Sequence, residues 1–515
     1  MKNKIVRVLS LLVVLSLAFG IFAGCGKKAE VVTNDGELPF VKLKCYVVGD
    51  MSIGSDEVLA NLNTMLKEKI NAELEVIELS WSDYKSKYSL VLSSGEPIDL
   101  IYTSNWCYFY SEGRKGAFMP LEEDMLKKYA PNAYAEIPEG AWDYVKIDGK
   151  ISMLPQHYRA MSIRAITYRE DLRKKYNVPE INTLEDLEVF FDVIKEKEPA
   201  MFPFNANIGD MENLYYAYMW QEEGLRPISL TDALCTSSDD PALTIKPVYE
   251  TASYKKWGEI AKKWYEKGYW SRDILSNKTT SENAFLSGTS AAMISQLSST
   301  VYSQNKAIAK NPDWELGQIL LLHNGKGPIN NYTANGMAIP STSKNVERAL
   351  MCYDLLSTDK EFYDAHVYGI KDKTYKVTED GYYIYPDGYE AGKGYAFNGL
   401  KIQMGMNNPS LNNDDASMST DIYKKYVADV NAPNEFGIDT PGAYIPFDTA
   451  NFANQLSTLS GVVKNVNNLI ITGAGKDSVD VQLAKYKTDA EKAGVKTIIE
   501  DATKQKDEFM KNFKK

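Results

Sequence analysis

Histidine is scarce in this chain. The three that occur, His157, His323 and His366, stand far apart and outside any H-E-x-x-H spacing, so no zinc pattern is present. Cysteine is scarce too. Besides Cys25 there are Cys45, Cys107, Cys235 and Cys352, with no C-x-x-C pair. This argues against a disulfide framework, leaves one bridge open, and favours small buried core residues. G-x-S-x-G is missing, as is a D-x-[DN]-x-[DN]-G calcium loop. Gly473-Ala474-Gly475-Lys476 lacks the first glycine of a phosphate loop and continues into Asp477, so it reads as a turn before a helix. No cofactor and no metal are expected. Positive charge is in deficit: 58 Lys and Arg face 69 Asp and Glu, a formal net charge of -11. That argues against nucleic acid and anionic lipid as partners. Beyond residue 21 no apolar run approaches the roughly 20 residues of a spanning helix. Carboxylates are abundant, so a glycosidase pair is not excluded by counting.

What is there begins at the N-terminus. Lys2, Lys4 and Arg7 precede an apolar run from Val8 to Ile21, then Phe22-Ala23-Gly24-Cys25. This reads as an export signal over 1–24 and not as a membrane helix. Its Ala-Gly-Cys ending resembles the lipobox of bacterial lipoproteins. That resemblance implies cleavage before Cys25, its acylation with palmitate-type chains, and a body held on the extracellular face of the cell membrane through lipid alone. Residues 25–37 are small and polar and suit a tether. Without the signal the net charge of -11 becomes -14, because three cations and no acid leave with it. The remaining length exceeds what one core organises, so two or more lobes are expected. The 34 tyrosines and 8 tryptophans supply flat faces for stacking.

Val41 to Val47 alternates with period two and reads as a strand. Ser55 or Asp56 then caps a helix with Val58, Leu62, Leu66 and Ile70 on its face. Leu74–Leu79 returns to a strand, Trp81–Leu92 to a helix, and Ile98–Tyr102 to a buried strand. This order is that of a parallel sheet in an α/β lobe, whose ligands sit beyond the carboxyl ends of the strands. A second set follows: strands at Ala165–Tyr168, Ala291–Ile294 and Thr333–Ile339. Helices are expected after a Thr183/Asp186 capping box, over Tyr254–Lys267 and over Asn345–Ser357. Trp257 and Trp264 lie seven apart on one face and belong to the core. The C-terminus reads as a helix through Leu483, Tyr486 and Ala490 ending at Gly494, then another opened by a Thr497/Glu500 box.

Several stretches resemble the extracellular solute-binding proteins of ABC importers, in the carbohydrate group related to maltose-binding protein. They are Pro97-Ile98-Asp99-Leu100-Ile101, Lys115 to Leu121, Asp148-Gly149-Lys150 to Pro155, Tyr168-Arg169-Glu170-Asp171-Leu172, and Ala284 to Met293. Ser152 stands where the family usually has an aromatic. From about Pro446 to the end the chain is similar to a domain of unknown function on Firmicutes lipoproteins of this type. The resemblance implies a periplasmic-binding-protein-like type II fold, two α/β lobes with a hinge and a central cleft. It also implies a carbohydrate ligand of oligosaccharide size, with permease subunits and a cytoplasmic ATPase as partners to a monomer. Crossovers are placed at Gln156 and at Gln296. Lobe 1 is then 38–156 plus 296–344, and lobe 2 is 157–295 plus 345–515, with about 440–515 as a helical C-terminal region.

A sugar site needs aromatic platforms and hydrogen-bonding side chains. Asn105, Trp106 and Tyr108 follow a strand at its cleft end. Gln156, Tyr158, Arg159 and Gln296 sit at the crossovers, and Trp220 offers a platform from the opposite lobe. Two other readings use the same fold: a surface glycoside hydrolase, and a sensor presenting ligand to another protein.

Overall fold

The computed structural model describes residues 38–81, 83–379, 381–405, 421–428 and 432–512. The signal segment, the tether and Cys25 lie outside the described residues. Strand β1 (Val41–Val48) is central to the first lobe. Its Leu43, Cys45 and Val47 are fully buried, as the period-two pattern requires. Helix α1 (Ser55–Ile70) covers it with Val58, Leu62 and Leu66, spaced one turn apart. The start of α1 differs from the expected cap. Gly54 takes the N-cap at φ 80, a region glycine enters without cost. Ser55 is buried in the first turn and donates to the Gly399 carbonyl at 3.3 Å. Strand β2 (Ala72–Leu79) and, after helix α2 (Tyr84–Ser93), strand β3 (Leu100–Thr103) pair parallel on either side of β1. The short β4 (Leu154–Pro155) is the edge of this five-stranded sheet.

The chain then crosses over. Strand β5 (Arg164–Arg169) is the middle of a second sheet. Helix α3 (Leu184–Lys197) carries the expected capping box, with Thr183 and Asp186 bonded in both directions. Helix α4 (Ile208–Glu223) has a second such box, Asn207 with Asp210, which the sequence reading passed over. Strands β6 (Leu225–Ile228) and β7 (Thr231–Ser237) form an antiparallel ladder beside it. Helix α5 (Ala252–Lys267) buries Trp257 and Trp264 as expected. Strand β8 (Ala292–Gln296) pairs antiparallel with β5.

Here the expected second crossover is displaced. Helix α6 (Leu297–Lys310) follows β8 directly, and β9 (Leu316–Leu321) returns to the other edge of β5. Strand β10 (Gly327–Ile329) is still on this side. The chain goes back at a short helical turn, Tyr332–Ala334, and β11 (Gly336–Ala338) then joins the first sheet between β3 and β4. Gln296 is therefore the last residue of β8, paired with Arg164 within the second lobe, and not a hinge. Helices α7 (Val346–Thr358) and α8 (Lys360–Val367) pack into the first core through Leu350, Tyr353 and Phe362, so 345–404 belongs with lobe 1. The driving force is burial of these apolar faces against the first core.

From β12 (Gly437–Asp439), which pairs with β10, the chain is on the second lobe again. The C-terminal helices are not an appendage. The Trp257 indole donates to the Ile471 carbonyl and Trp270 to Thr472, both at 3.1 Å. Ile470, Tyr486 and Ile498 join the same core as Phe191 and Trp264. Helix α9 (Val479–Lys492) and helix α10 (Val495–Asn512) meet at Gly494, which sits at φ 87. Because α10 starts at Val495, Thr497 lies inside it and forms no cap. Cys45, Cys107, Cys235 and Cys352 are all free and buried.

Candidate functional site

A cleft of about 1350 Å³ opens between the lobes, larger than a typical small-molecule pocket of roughly 300–1,000 Å³. Its first-lobe wall is aromatic. Trp81 and Trp106 stack with centroids 6.1 Å apart and planes at 29°. Tyr84 stands edge-on to both, at 5.7 and 6.2 Å. The Trp106 indole donates to the Ala334 carbonyl at 2.8 Å, which fixes the ring to the return crossover. Both tryptophans keep open faces, 51% and 45% exposed. A large apolar ring left so uncovered is a binding surface in waiting. Asn105 adds a polar edge and donates to Asn331 at 3.3 Å.

The second-lobe wall is polar. Glu212, Asn213, Tyr216 and Trp220 recur along α4 at helical spacing and line the cleft. Burial and the charge of Asp232 on β7 push the Glu212 carboxyl up to about 7, against the pull of Lys85 on the opposite lobe. Burial also raises the Asp232 carboxyl, opposed by a hydrogen bond from Tyr216. Arg164 and Arg226 complete the wall. Burial and the nearby Arg226 charge hold the Arg164 guanidinium down at about 10.

Of the residues anticipated at the site, Asn105, Trp106, Tyr158, Trp220 and Gln296 line this cleft. Trp220 does so only with an edge. It is 2% exposed, and its indole donates to the Lys326 carbonyl at 3.0 Å, so packing governs it. Tyr108, Gln156 and Arg159 are not among the lining residues. Tyr108 turns back at φ 59 to stack on Tyr88 at 5.3 Å. Gln156 is 4% exposed and spans the crossovers, donating to Tyr158 and accepting from Asn335. Arg159 is held by Asp439 at 2.6 Å. The lining residues passed over in the sequence include Trp81, Tyr84, Glu212, Asp232, Arg164 and Arg226. Only the Trp81-x-x-Tyr84 spacing and the polar stripe on α4 carried a signal for them. Among the described residues no group of His, Cys, Asp or Glu is arranged to hold a metal ion.

This geometry has relatives. Residues 62–366 match the family model described as bacterial extracellular solute-binding protein, and 446–511 match a domain of unknown function, DUF3502. A carbohydrate ABC transporter substrate-binding protein of Streptococcus pneumoniae serotype 4 is 24% identical, over 97% of each chain. The N-glycan transport solute binding protein NgtS of Streptococcus pneumoniae, crystallised with Man5GlcNAc, superposes with a TM-score of 0.70 at 22% identity. That match covers 93% of this chain and 100% of NgtS. Alginate-binding protein AlgQ2 follows at a TM-score of 0.65 and 18% identity, over 91% of this chain and 98% of AlgQ2. The fold is that of type II periplasmic solute-binding proteins, two lobes around one cleft, and the chain belongs to the bacterial extracellular solute-binding protein family.

Proposed function

We propose that this chain captures an oligosaccharide by closure of its two lobes and delivers it to an ABC permease, as the extracellular, lipid-anchored receptor of that importer. The observation that carries the reading is one cleft with open tryptophan faces on one wall and hydrogen-bonding groups on the other. Sugars present the matching pair of surfaces, apolar C–H faces and a rim of hydroxyls. Stacking takes the first, and Asn105, Asn213 and Tyr216 take the second. The cleft volume admits several sugar rings. Anchoring is through Cys25, and the partners are the permease subunits and their ATPase.

Binding is favoured over hydrolysis because Glu212 and Asp232, the carboxylates lining the cleft, stand together on one wall. A glycosidase places its two carboxyls on either side of the scissile bond. The test is a thermal-shift screen with mono- and oligosaccharides, followed by calorimetry and product analysis. A ligand at 100 times its Kd adds about 2.7 kcal/mol of stability. A shift with an oligosaccharide recovered intact is the expected result. No shift with any glycan, or a cleaved product, counts against the reading.

A further inference from the structure

Two cations on the second-lobe wall have no role in stacking or in the hydroxyl contacts proposed above. Arg164 opens β5, directly opposite Gln296 on β8. Its Nη1 donates to Gln296 Oε1 at 2.6 Å, and Gln296 is itself steadied by Ser162 and by the Met161 carbonyl, both at 3.3 Å. Arg226 lies on β6. Its Nη2 donates to the Tyr444 hydroxyl at 2.7 Å, and that hydroxyl donates onward to Asn330 at 2.9 Å. The Arg226 Nε is buried and has no acceptor among the described residues.

Neither guanidinium has a carboxylate within 4.0 Å among the described residues, although Arg159, Arg169 and Arg173 each hold one. Among the described residues the same holds for Arg114, Arg272 and Arg348, but of these five only Arg164 and Arg226 line the cleft. The two charges are close enough for Arg226 to act on Arg164. Half-buried like charges without a counter-ion cost folding energy. Gln296 and Tyr444 orient both forks without neutralising either. A planar guanidinium fork with free N–H groups matches the paired oxygens of an oxyanion.

We propose that Arg164 and Arg226 form a subsite for an acidic substituent of the bound glycan, a sugar carboxylate or a sulfate or phosphate ester. The inference rests on the reading that the cleft binds carbohydrate. The Glu212–Asp232 pair elsewhere on the wall repels such a group, so the acidic end of the ligand is directed to the arginines and the orientation of the glycan is fixed.

Two measurements test this on the full mature chain. The first is a glycan array carrying matched acidic and neutral oligosaccharides, read for wild type, R164Q, R226Q and R226K. Wild type retains the acidic members at least tenfold better than their neutral partners. R164Q and R226Q lose that preference, so that acidic and neutral members are retained alike. R226K, which keeps charge but not the fork, falls between. The second needs no oligosaccharide: thermal melts in glucuronate, sulfate and phosphate against chloride at equal ionic strength. The anion that raises the wild-type melting temperature, and not that of R226Q, identifies which acid the subsite takes. Equal retention of acidic and neutral glycans, with the sugar reading intact, overturns the subsite alone. So does a preference that survives in folded R164Q and R226Q. If no glycan is retained, the carbohydrate reading fails, and the absence of any anion effect on melting then overturns the subsite independently.

Discussion

The Asn335 amide donates to Gln156 Oε1 at 3.2 Å, a side-chain bond added to those from the Gln156 backbone N–H to the Tyr332 and Asn335 carbonyls, so the outgoing and returning crossovers are stitched to each other. Asn335 also accepts from the Tyr102 hydroxyl at 2.9 Å, which ties the junction to β3. Hinge residues absorb changes of φ and ψ while lobes move as bodies. A bond between two hinge strands makes them turn together.

Asn335→Ala takes an acceptor from the buried Tyr102 hydroxyl and a donor from the buried Gln156 carbonyl oxygen. An unsatisfied buried group costs about 1–3 kcal/mol. Urea unfolding of the variant therefore has a lower midpoint at an unchanged slope, and the slope multiplied by the midpoint shift falls in that range. A loss under about 0.5 kcal/mol would mean that water replaces the amide and that the stitch is dispensable.

Trp106→Ala removes half of the aromatic platform. Calorimetry with the oligosaccharide found by screening gives an affinity weaker by roughly 1 kcal/mol or more, the scale of an aromatic contact beyond its buried area. Trp81→Ala has an effect of the same order. Because the rings touch, the double variant loses less than the sum of the two. Unchanged affinity in a folded Trp106→Ala protein removes the ring from the site.

Glu212 gives the free protein a pH dependence. Its carboxyl is raised to about 7 from an ordinary 4.5, so the folded chain holds that proton more tightly than the unfolded one. The resulting stability is complete below the unfolded value and is lost as pH rises through the folded one. Between pH 5 and 8 the loss is on the order of 1–3 kcal/mol. Glu212 and Asp232 titrate as a pair, so the slope belongs to both. Glu212→Gln flattens the profile and is the more stable protein at pH 8. Identical profiles for the two proteins would place the proton elsewhere.

Cys25→Ser abolishes acylation, because the lipid is carried on the Cys25 thiol. Two acyl chains hold a protein on a membrane where one does not. The variant then leaves the membrane fraction and appears in the soluble or secreted one. Retention in the membrane fraction at the wild-type level refutes the anchor.

Much of the first lobe is legible in the sequence. Its strands are buried short apolar runs, its helices carry apolar residues at one-turn spacing, and both patterns are local. The Thr183–Asp186 box was equally local. What escaped was non-local. Strand β9 is an unremarkable run whose place is set by pairing with Arg164–Arg169, far back in the chain, and missing it moved the second crossover to Gln296. Trp106 stood out as a tryptophan in a polar loop. Arg164 and Arg226 did not, since each occupies an ordinary strand and only the Arg164–Gln296 register and the fold of Tyr444 bring them to one wall. Tyr108 and Arg159 looked equally well placed, but stacking on Tyr88 and pairing with Asp439 turned them away.

The hydrogen bonds from Trp257 and Trp270 to Ile471 and Thr472 also set a timetable. A ribosome delivers the N-terminal part first, yet the second core has no lid until residues beyond 470 emerge. The first sheet likewise lacks an inner strand until Gly336–Ala338 arrives. Neither half can complete itself from the residues that precede it. Contacts of such long sequence separation form slowly. Both halves therefore finish folding only when nearly the whole chain is available.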